Sequence, residues 1–166
     1  ISVTVDDFAI FTNDEKWFYD FKEKFHKQYS VTQEPTFDWF LGIKMDWNKD
    51  GSAVKLTQPN HINAALIKYH MEDSKLVPTP MISDFDSTPL PPEHTNPDFP
   101  YAGIIGTLMW IARNTRPDIL TAVTLLASHN NRFGDYHIKQ AKRVLAYLKS
   151  TKEYGVKITG QKDFDL

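Results

Sequence analysis

The 166-residue sequence contains no cysteine. This absence excludes disulfide bonds, a thiol nucleophile and a zinc ribbon, and it fits a reducing compartment. The sequence also lacks any apolar run of about 18 residues, and no basic segment followed by an apolar one stands at its start, so neither a membrane span nor a signal peptide is indicated. These absences predict a soluble protein without a membrane partner.

A strong net charge is missing as well, because 19 Lys and Arg residues nearly balance 21 Asp and Glu residues and leave a formal charge of −2. Any binding to nucleic acid would therefore depend on a local basic patch. The six histidines show no metal-ligand spacing, and we expect them at the surface or at helix caps. The 41% hydrophobic and 13% aromatic content predicts a globular chain with one core, or with a small core and a helical appendage.

Residues 1–11 combine β-prone side chains with two adjacent carboxylates, Asp6 and Asp7. The pattern predicts two strands joined by a tight turn. Neighbouring carboxylates repel each other and add nothing to a core, so a divalent cation would explain them, and hard oxygen ligands favour Mg²⁺ or Mn²⁺. Asp-Asp is also ordinary turn chemistry, and for this segment alone the turn is the better interpretation.

Further patterns follow in the first half of the chain. Behind Asn13, a good N-cap residue, aromatic side chains recur at helical spacing and predict a helix at about 14–28 that packs on a sheet. Alternation of apolar and polar side chains over 41–56, interrupted by a turn, predicts a second hairpin with Leu41 inside its first strand. A short helix with one apolar stripe is predicted after Pro59.

Residues 73–100 contain seven of the ten prolines and predict a linker or an extended strap that divides the chain. Beyond it the apolar pattern predicts three helices and a strand. They lie at about 101–114, after the break at 115–118, at about 135–150 and at 154–158. In the first of these helices, Gly103 and Gly106 would let a neighbouring element approach closely. The whole pattern predicts an α+β chain, with an antiparallel sheet and a packed helix followed by a mainly helical part.

An ordered series of motifs covers nearly the whole chain. The first half carries Val-Asp-Asp at 5–7, Phe-Leu-Gly-Ile-Lys at 40–44 and Leu-Thr-Gln at 56–58, followed by Pro-Thr-Pro at 78–80. The second half carries Ile-Gly-Thr-Leu-Met at 105–109, Thr-Arg-Pro-Asp at 115–118 and Lys-Arg-Val-Leu at 142–145. Val-Asp-Asp alone is weak evidence, but the series closely resembles the reverse transcriptase of copia-type long-terminal-repeat retrotransposons.

The resemblance implies an RNA-directed DNA polymerase. Asp6 and Asp7 would be the acidic pair of its palm and would hold Mg²⁺ or Mn²⁺ for transfer of a nucleotide onto a primer 3′-hydroxyl. Thr4, which replaces the aromatic residue usual at this position, and Val5 would lie near the incoming nucleotide.

Two more groups of residues gain a role from the resemblance. Leu41, Gly42 and Lys44 resemble the primer grip, in which Gly42 permits close backbone approach and Lys44 meets a phosphate, although an ordinary solvated lysine is equally compatible. A basic arc on the last helix would hold the template-primer duplex, although a solvated basic face is the commoner outcome for such a run. The arc consists of Lys139, Lys142, Arg143 and Lys149.

The resemblance also implies a division of the chain. Residues 1–58 would be part of a palm with the catalytic hairpin and the primer-grip-like hairpin, 59–72 a thumb-like helix, 73–100 a proline-rich linker, and 101–166 a helical connection region with a C-terminal strand. The implied partners are an RNA or DNA template-primer, deoxynucleoside triphosphates, and polyprotein segments carrying the fingers, a third catalytic carboxylate and ribonuclease H. We therefore expect an excised fragment that does not polymerise alone, located in a cytoplasmic particle or the nucleus.

Two other interpretations stay open. A decayed or domesticated remnant would act only as a nucleic-acid-binding or protein-binding module, which Thr4 mildly favours and the intact acidic pair opposes. A helical structural domain without a ligand would explain the apolar stripes but not the order of the motifs.

Overall fold

The computed structural model describes residues 1–4, 7–32, 36–86, 88 and 98–160, with the backbone alone for residue 7. These residues form six strands and five α-helices, which confirms the predicted α+β class. In chain order the elements are β1 (Ser2–Thr4), β2 (Asp7–Ala9), α1 (Glu15–Gln28), β3 (Trp39–Phe40), β4 (Ile43–Trp47), β5 (Ala53–Thr57), α2 (Pro59–Lys68), α3 (Tyr101–Asn114), α4 (Leu120–Ala127), α5 (Asp135–Ser150) and β6 (Val156–Thr159).

The described strands form two antiparallel sheets. The strands β1 and β2 pair as a hairpin, and the second sheet has the order β3-β4-β5-β6. Its last strand, β6, is the predicted C-terminal strand and pairs along β5. One sheet therefore contains both the second predicted hairpin and a strand that follows the helices.

The hydrophobic core lies among α2, α3, α4 and α5. Each helix buries one stripe of apolar side chains, and each fully buried Leu or Ile contributes roughly 1.5–3 kcal/mol. The predicted stripe of α5 is buried throughout: Ile138, Ala141, Val144, Leu145 and Leu148. The helix that the resemblance assigns to a thumb, α2, adds Ile62, Ala65 and Leu66 to the same core.

Two local predictions about the helices are wrong. Asp14, not Asn13, caps α1, because its Oδ1 atom accepts a backbone N–H of the first turn at 2.9 Å. At Gly103 the neighbour lies only at ordinary van der Waals distance, since an added Cβ atom would lie 3.4 Å from the Tyr69 hydroxyl oxygen. At Gly106, however, an added Cβ atom would meet nothing within 4 Å in the described part of the chain.

Arg116 is fully buried at the corner between α3 and α4. Its Nε and Nη2 atoms donate to the two carboxylate oxygens of Asp118 at 2.9 and 2.7 Å. Its Nη1 and Nη2 atoms donate to the carbonyl and the hydroxyl of Thr151 at 2.9 and 2.7 Å. The rings of Tyr147 and Tyr154 lie 5.4 and 5.6 Å from the guanidinium carbon. This Arg116 cluster compensates the desolvation of a buried charge and joins the α3–α4 corner to the end of α5.

The charge state of Asp118 fits this arrangement. Partial burial acts to raise the pKa of Asp118, but the hydrogen bonds and the charge of Arg116 together outweigh it and hold that pKa below its usual value. The Tyr147 hydroxyl donates to Asp118 Oδ2 at 2.9 Å, and burial together with this bond raises the pKa of Tyr147. The carboxylate therefore stays ionised opposite the guanidinium.

We predict that Arg116→Met lowers the free energy of unfolding by about 3 kcal/mol, the lower end for a broken buried ion pair, because Asp118 keeps partial access to water. Chemical denaturation followed by circular dichroism measures the change. The matched control, Arg113→Met, removes an exposed arginine of α3 and should change stability by less than about 0.5 kcal/mol. Equal losses in both variants would contradict a special role for the buried cluster.

Gly155, just before β6, provides a second prediction. An added Cβ atom would overlap the carbonyl oxygen of Leu56 and lie 2.8 Å from Cγ2 of Thr57. We expect Gly155→Ala to lower the free energy of unfolding by about 1–3 kcal/mol through this overlap. Gly106→Ala, in an open helical position, should instead raise it by about 0.5–1 kcal/mol. Thermal unfolding of both variants tests the contrast, and a change of the same sign in both would refute it.

Candidate functional site

The predicted catalytic hairpin is present as β1 and β2. Thr4 pairs with Asp7 across it, which leaves residues 5 and 6 as the connection between the strands. Val5, Asp6 and the side chain of Asp7 lie outside the described residues, so their predicted roles at a metal and near a nucleotide stay predictions. Among the residues that the structure does describe, no group of three or more His, Asp or Glu side chains is placed to hold a metal ion.

An aromatic stripe on α1 supports the hairpin. Phe8 of β2 meets Phe25 edge to face, with ring centroids 5.0 Å apart. Phe21 stacks on Phe25 at 5.3 Å and on Trp17 at 5.2 Å. The predicted packing of α1 on a strand is therefore present, but none of the helix's 14 residues, all of them described, is fully buried, and Trp17 is 41% exposed. The stripe expected in a core is half-exposed.

Phe37 links the two hairpins. Its ring meets that of Phe11, which follows β2, edge to face at 5.3 Å, and it lies 5.7 Å from the ring of Phe40 in β3. The indole N–H of Trp47 in β4 donates to the carbonyl of Phe37 at 2.8 Å. Aromatic contacts thus connect the segment after the aspartate hairpin to the sheet that carries the Leu41–Gly42 turn.

Leu41 and Gly42 form the turn between β3 and β4, with φ angles of 51° and 75°. The prediction that Leu41 lies inside a strand is wrong, because Phe40 pairs with Ile43 and the strand begins there. Two successive positive φ angles are typical of a tight two-residue hairpin, and a leucine adopts one at a cost of about 1–2 kcal/mol. At Gly42 an added Cβ atom would lie 3.0 Å from Cε1 of His61 in α2, so the closely approaching group within the chain is an imidazole.

Lys44 already has a partner within the chain. Its ammonium group lies 2.7 Å from a carboxylate oxygen of Asp46 on the same strand, and both side chains are partly exposed. The hydrogen bond and the charge of Asp46 raise the pKa of Lys44. A phosphate at this position would compete with Asp46, and the predicted phosphate contact stays a prediction.

The basic arc of α5 holds the proline-rich segment. Residues 74–86, here called the strap, lie along α5 and are tied to its end by Lys149, whose ammonium group donates to the carbonyl of Ser74 at 2.7 Å. The Ser150 hydroxyl donates to the carbonyl of Val77 at 3.0 Å.

Two further members of the arc also make contacts within the chain. Arg143 Nη2 donates to the hydroxyl of Thr79 at 2.9 Å, and the Lys142 ammonium group lies 5.7 Å from the centroid of the Phe99 ring. Lys139 is exposed. Three of the four arc residues therefore contact the proline-rich segment, and their binding of nucleic acid stays a prediction.

The other end of the strap packs on two buried histidines. His129 and His137 are 4% and 1% exposed. The expectation of a surface or capping position is therefore wrong for the buried His129, whereas His137 does cap α5, because its Nδ1 atom accepts the N–H of Gly134 at 3.3 Å. Their ring centroids are 4.1 Å apart, and the Phe85 ring lies 6.1 and 6.4 Å from them.

Burial is the main influence on the pKa of His137. Burial and the charge of His129 lower the pKa of His137, while the charge of Asp86 opposes them. The backbone N–H of Asp86 donates to the Tyr136 hydroxyl at 2.9 Å and fixes this part of the strap to the start of α5.

Comparison with known proteins identifies relatives in sequence but no similar solved structure. No protein-family model matches the chain, and no solved structure matches it. The chain is 29% identical over 157 residues to a transposon Ty5-1 protein of Saccharomyces cerevisiae, covering 95% of this chain and 51% of that protein. It is 31% identical over 159 residues to the retrovirus-related Pol polyprotein from transposon RE1 of Arabidopsis thaliana, covering 93% of this chain and 10% of the polyprotein. A third relative, the Pol polyprotein from transposon TNT 1-94 of Nicotiana tabacum, is 26% identical over 153 residues, which cover 89% of this chain and 12% of the polyprotein.

These matches make the chain a homologue of transposon-encoded proteins. More particularly, its homologues are Pol polyproteins of Ty5/copia-type retrotransposons, which confirms the family that the motifs indicated. The chain spans about half the length of the yeast relative, at 51%, and about a tenth of the RE1 polyprotein. None of the helices that the structure describes has the length and apolar character needed to cross a bilayer.

The histidine pair predicts a pH-dependent stability. Because the pKa of His137 is lower in the folded chain than in the unfolded chain, its stabilising effect is complete above about pH 6.5, the unfolded value, and is lost as the pH falls through the folded value. We expect the free energy of unfolding to decrease from pH 7 to pH 5, and His137→Gln to weaken that decrease. Denaturant titrations at each pH measure it. The control His26→Gln removes an exposed histidine of α1 and should keep the wild-type slope; identical slopes in both variants would disprove the assignment.

Proposed function

We propose that the chain is part of an RNA-directed DNA polymerase that adds deoxynucleotides to a primer 3′-hydroxyl and copies RNA or DNA into DNA. The observation that carries the proposal is the β1–β2 hairpin, in which Thr4 pairs with Asp7, the last residue of the Val-Asp-Asp motif at 5–7. Homology to retrotransposon Pol polyproteins over 93% of the chain supports it independently of the hairpin.

The acidic pair has the chemistry that this reaction needs. Two adjacent carboxylates offer hard, negatively charged oxygen ligands, which fit Mg²⁺ or Mn²⁺ better than softer ions. Such ions, when bound, stabilise the charge that develops on the transferred phosphate and on the leaving pyrophosphate. In this proposal, Asp6 and Asp7 bind the metal ions next to the connection between the two paired strands.

The surrounding residues orient the substrates in this proposal. Thr4, paired with Asp7, and Val5 adjoin the incoming nucleotide. The Leu41–Gly42 turn lies against the primer, and Lys44 exchanges its ion pair with Asp46 for a primer phosphate. Positioning of this kind is the main contribution of a protein to phosphoryl transfer.

The remaining parts of the polymerase come from the rest of the polyprotein. We place the fingers, the third catalytic carboxylate and a ribonuclease H domain there, and we locate the activity inside the cell, in a cytoplasmic particle or the nucleus. Two carboxylates alone bind a divalent cation weakly, so the isolated chain is inactive in this proposal.

A second candidate function is a remnant that binds nucleic acid or a protein partner without catalysis. Thr4 in place of an aromatic residue favours it, and so does the half-exposed aromatic stripe of α1, which offers apolar surface to a partner.

Primer extension distinguishes the two candidates. With the chain joined to the polymerase segment that precedes it in its own reading frame, we expect extension by the wild type and a loss of at least about a hundredfold for Asp6→Asn, because several kcal/mol of charge stabilisation disappear. The control Asp20→Asn changes an exposed aspartate of α1 and should keep wild-type activity. Full activity of Asp6→Asn would refute the metal role. An inactive wild type that still binds primer-template would favour the remnant.

A further inference from the structure

Arg143 is a half-buried cation without an anionic partner in the part of the chain that the structure describes. The ion pairs found there join Lys27 to Glu23, Lys44 to Asp46 and Arg116 to Asp118. Arg143 has one hydrogen bond, from Nη2 to the Thr79 hydroxyl at 2.9 Å. Its Nε atom is enclosed and has no acceptor among the described residues.

This arrangement differs sharply from that of Arg116. A guanidinium group has five N–H donors, and partial removal from water is unfavourable when these donors lack acceptors. Arg116 directs four hydrogen bonds to a carboxylate and to Thr151, whereas Arg143 uses a single bond to a neutral hydroxyl. The donors that Arg143 retains for an external anion are therefore those of its terminal nitrogens, because Nε is enclosed and Nη1 has no hydrogen bond among the described residues.

The side chain lines an open cavity between the strap and α5. The cavity is shallow and open to solvent, with a volume of about 640 Å³. Its lining combines the guanidinium group with two hydroxyl groups and two apolar side chains. These residues are Thr79, Met81, Ile82, Ser83 and Arg143.

We propose that this cavity binds a phosphate group, with Arg143 as the charged donor and the hydroxyls of Thr79 and Ser83 as neutral donors. A phosphate has several oxygens that accept hydrogen bonds from different sides, and its geometry matches the planar fork of a guanidinium group. Lys139, one helical turn before Arg143 on α5 and exposed, adds positive potential nearby. The phosphate belongs either to a free nucleotide or to a nucleic-acid backbone, and the site does not depend on the proposed polymerase activity.

The direct test follows the Nε–H signals of arginine side chains by NMR while the intact chain is titrated with inorganic phosphate. We expect a saturable shift of the Arg143 signal and no shift for Arg113, which is exposed on α3. The Arg143→Gln variant assigns the signal and should weaken phosphate binding by at least about tenfold, the effect of losing a charged hydrogen-bond donor.

Matched variants separate a specific site from general electrostatics. Lys139→Gln removes the same charge from the same helix outside the cavity, and it should weaken binding by less than about twofold because solvent and salt screen an exposed charge. Ser83→Ala should weaken it by about threefold or more, as expected for one neutral hydrogen bond. If Arg143→Gln fails to fold, the wild-type Nε shift and the Ser83→Ala result still decide the question.

Two further titrations identify the source of the phosphate. Tighter Arg143-dependent binding of a single-stranded oligonucleotide than of a deoxynucleoside triphosphate assigns the site to a nucleic-acid backbone, and the opposite order assigns it to a nucleotide. Sodium acetate at equal ionic strength should leave the Nε signal unshifted. Equal shifts with acetate and phosphate, no shift with phosphate, or equal losses in Lys139→Gln and Arg143→Gln would each overturn the proposal. None of these results bears on primer extension.

Discussion

The described fold depends on the burial of Arg116, a full positive charge placed among helices. Removal of a guanidinium group from water is tolerated because Asp118 and Thr151 satisfy it from two sides. The preceding residue, Thr115, donates its hydroxyl to Gln58 at 2.8 Å, directly before α2. Two consecutive residues at one corner thus connect the beginning of α2, the end of α5 and the segment that leads into β6. Since β6 pairs with β5, the contacts at this corner also connect the helical core to the second sheet.

The strap shows how a chain with little net charge distributes its cations. Lys149, Arg143 and Lys142 contact backbone carbonyl, hydroxyl and aromatic groups of the proline-rich segment, which cannot form a regular ladder of its own. A basic helix face therefore serves as a support for an irregular segment. Neighbouring cations on this face differ in how fully their donors are satisfied. Lys149 donates to a backbone carbonyl at 2.7 Å, whereas Arg143 keeps an enclosed Nε atom without an acceptor among the described residues.

Elements with a strong period were predictable from sequence, and so was the family. The buried stripe of α5 follows from apolar side chains at helical spacing, and the break before α4 follows from proline at position 117. The turn at Leu41 was not predictable, because leucine disfavours a positive φ angle. In addition, Leu41 fits the alternation of apolar and polar side chains that predicted a strand. The cap of α1 was ambiguous between two adjacent residues that both suit an N-cap. For the acidic hairpin, the strand pairing was predictable, since β-prone residues flank the turn on both sides.

What the sequence determined by itself was local: the elements, the α+β class, and the motifs that identify its relatives among retrotransposon polyproteins. Tertiary structure alone decided which polar side chains became enclosed. Nothing in the local pattern distinguishes Arg116, with no exposed surface, from the exposed Arg113, or the buried His137 from the exposed His26. The physical reason is that hydrophobic periodicity is a property of neighbouring residues, whereas the burial of a charge depends on partners from distant segments, such as a threonine 35 positions further along the chain.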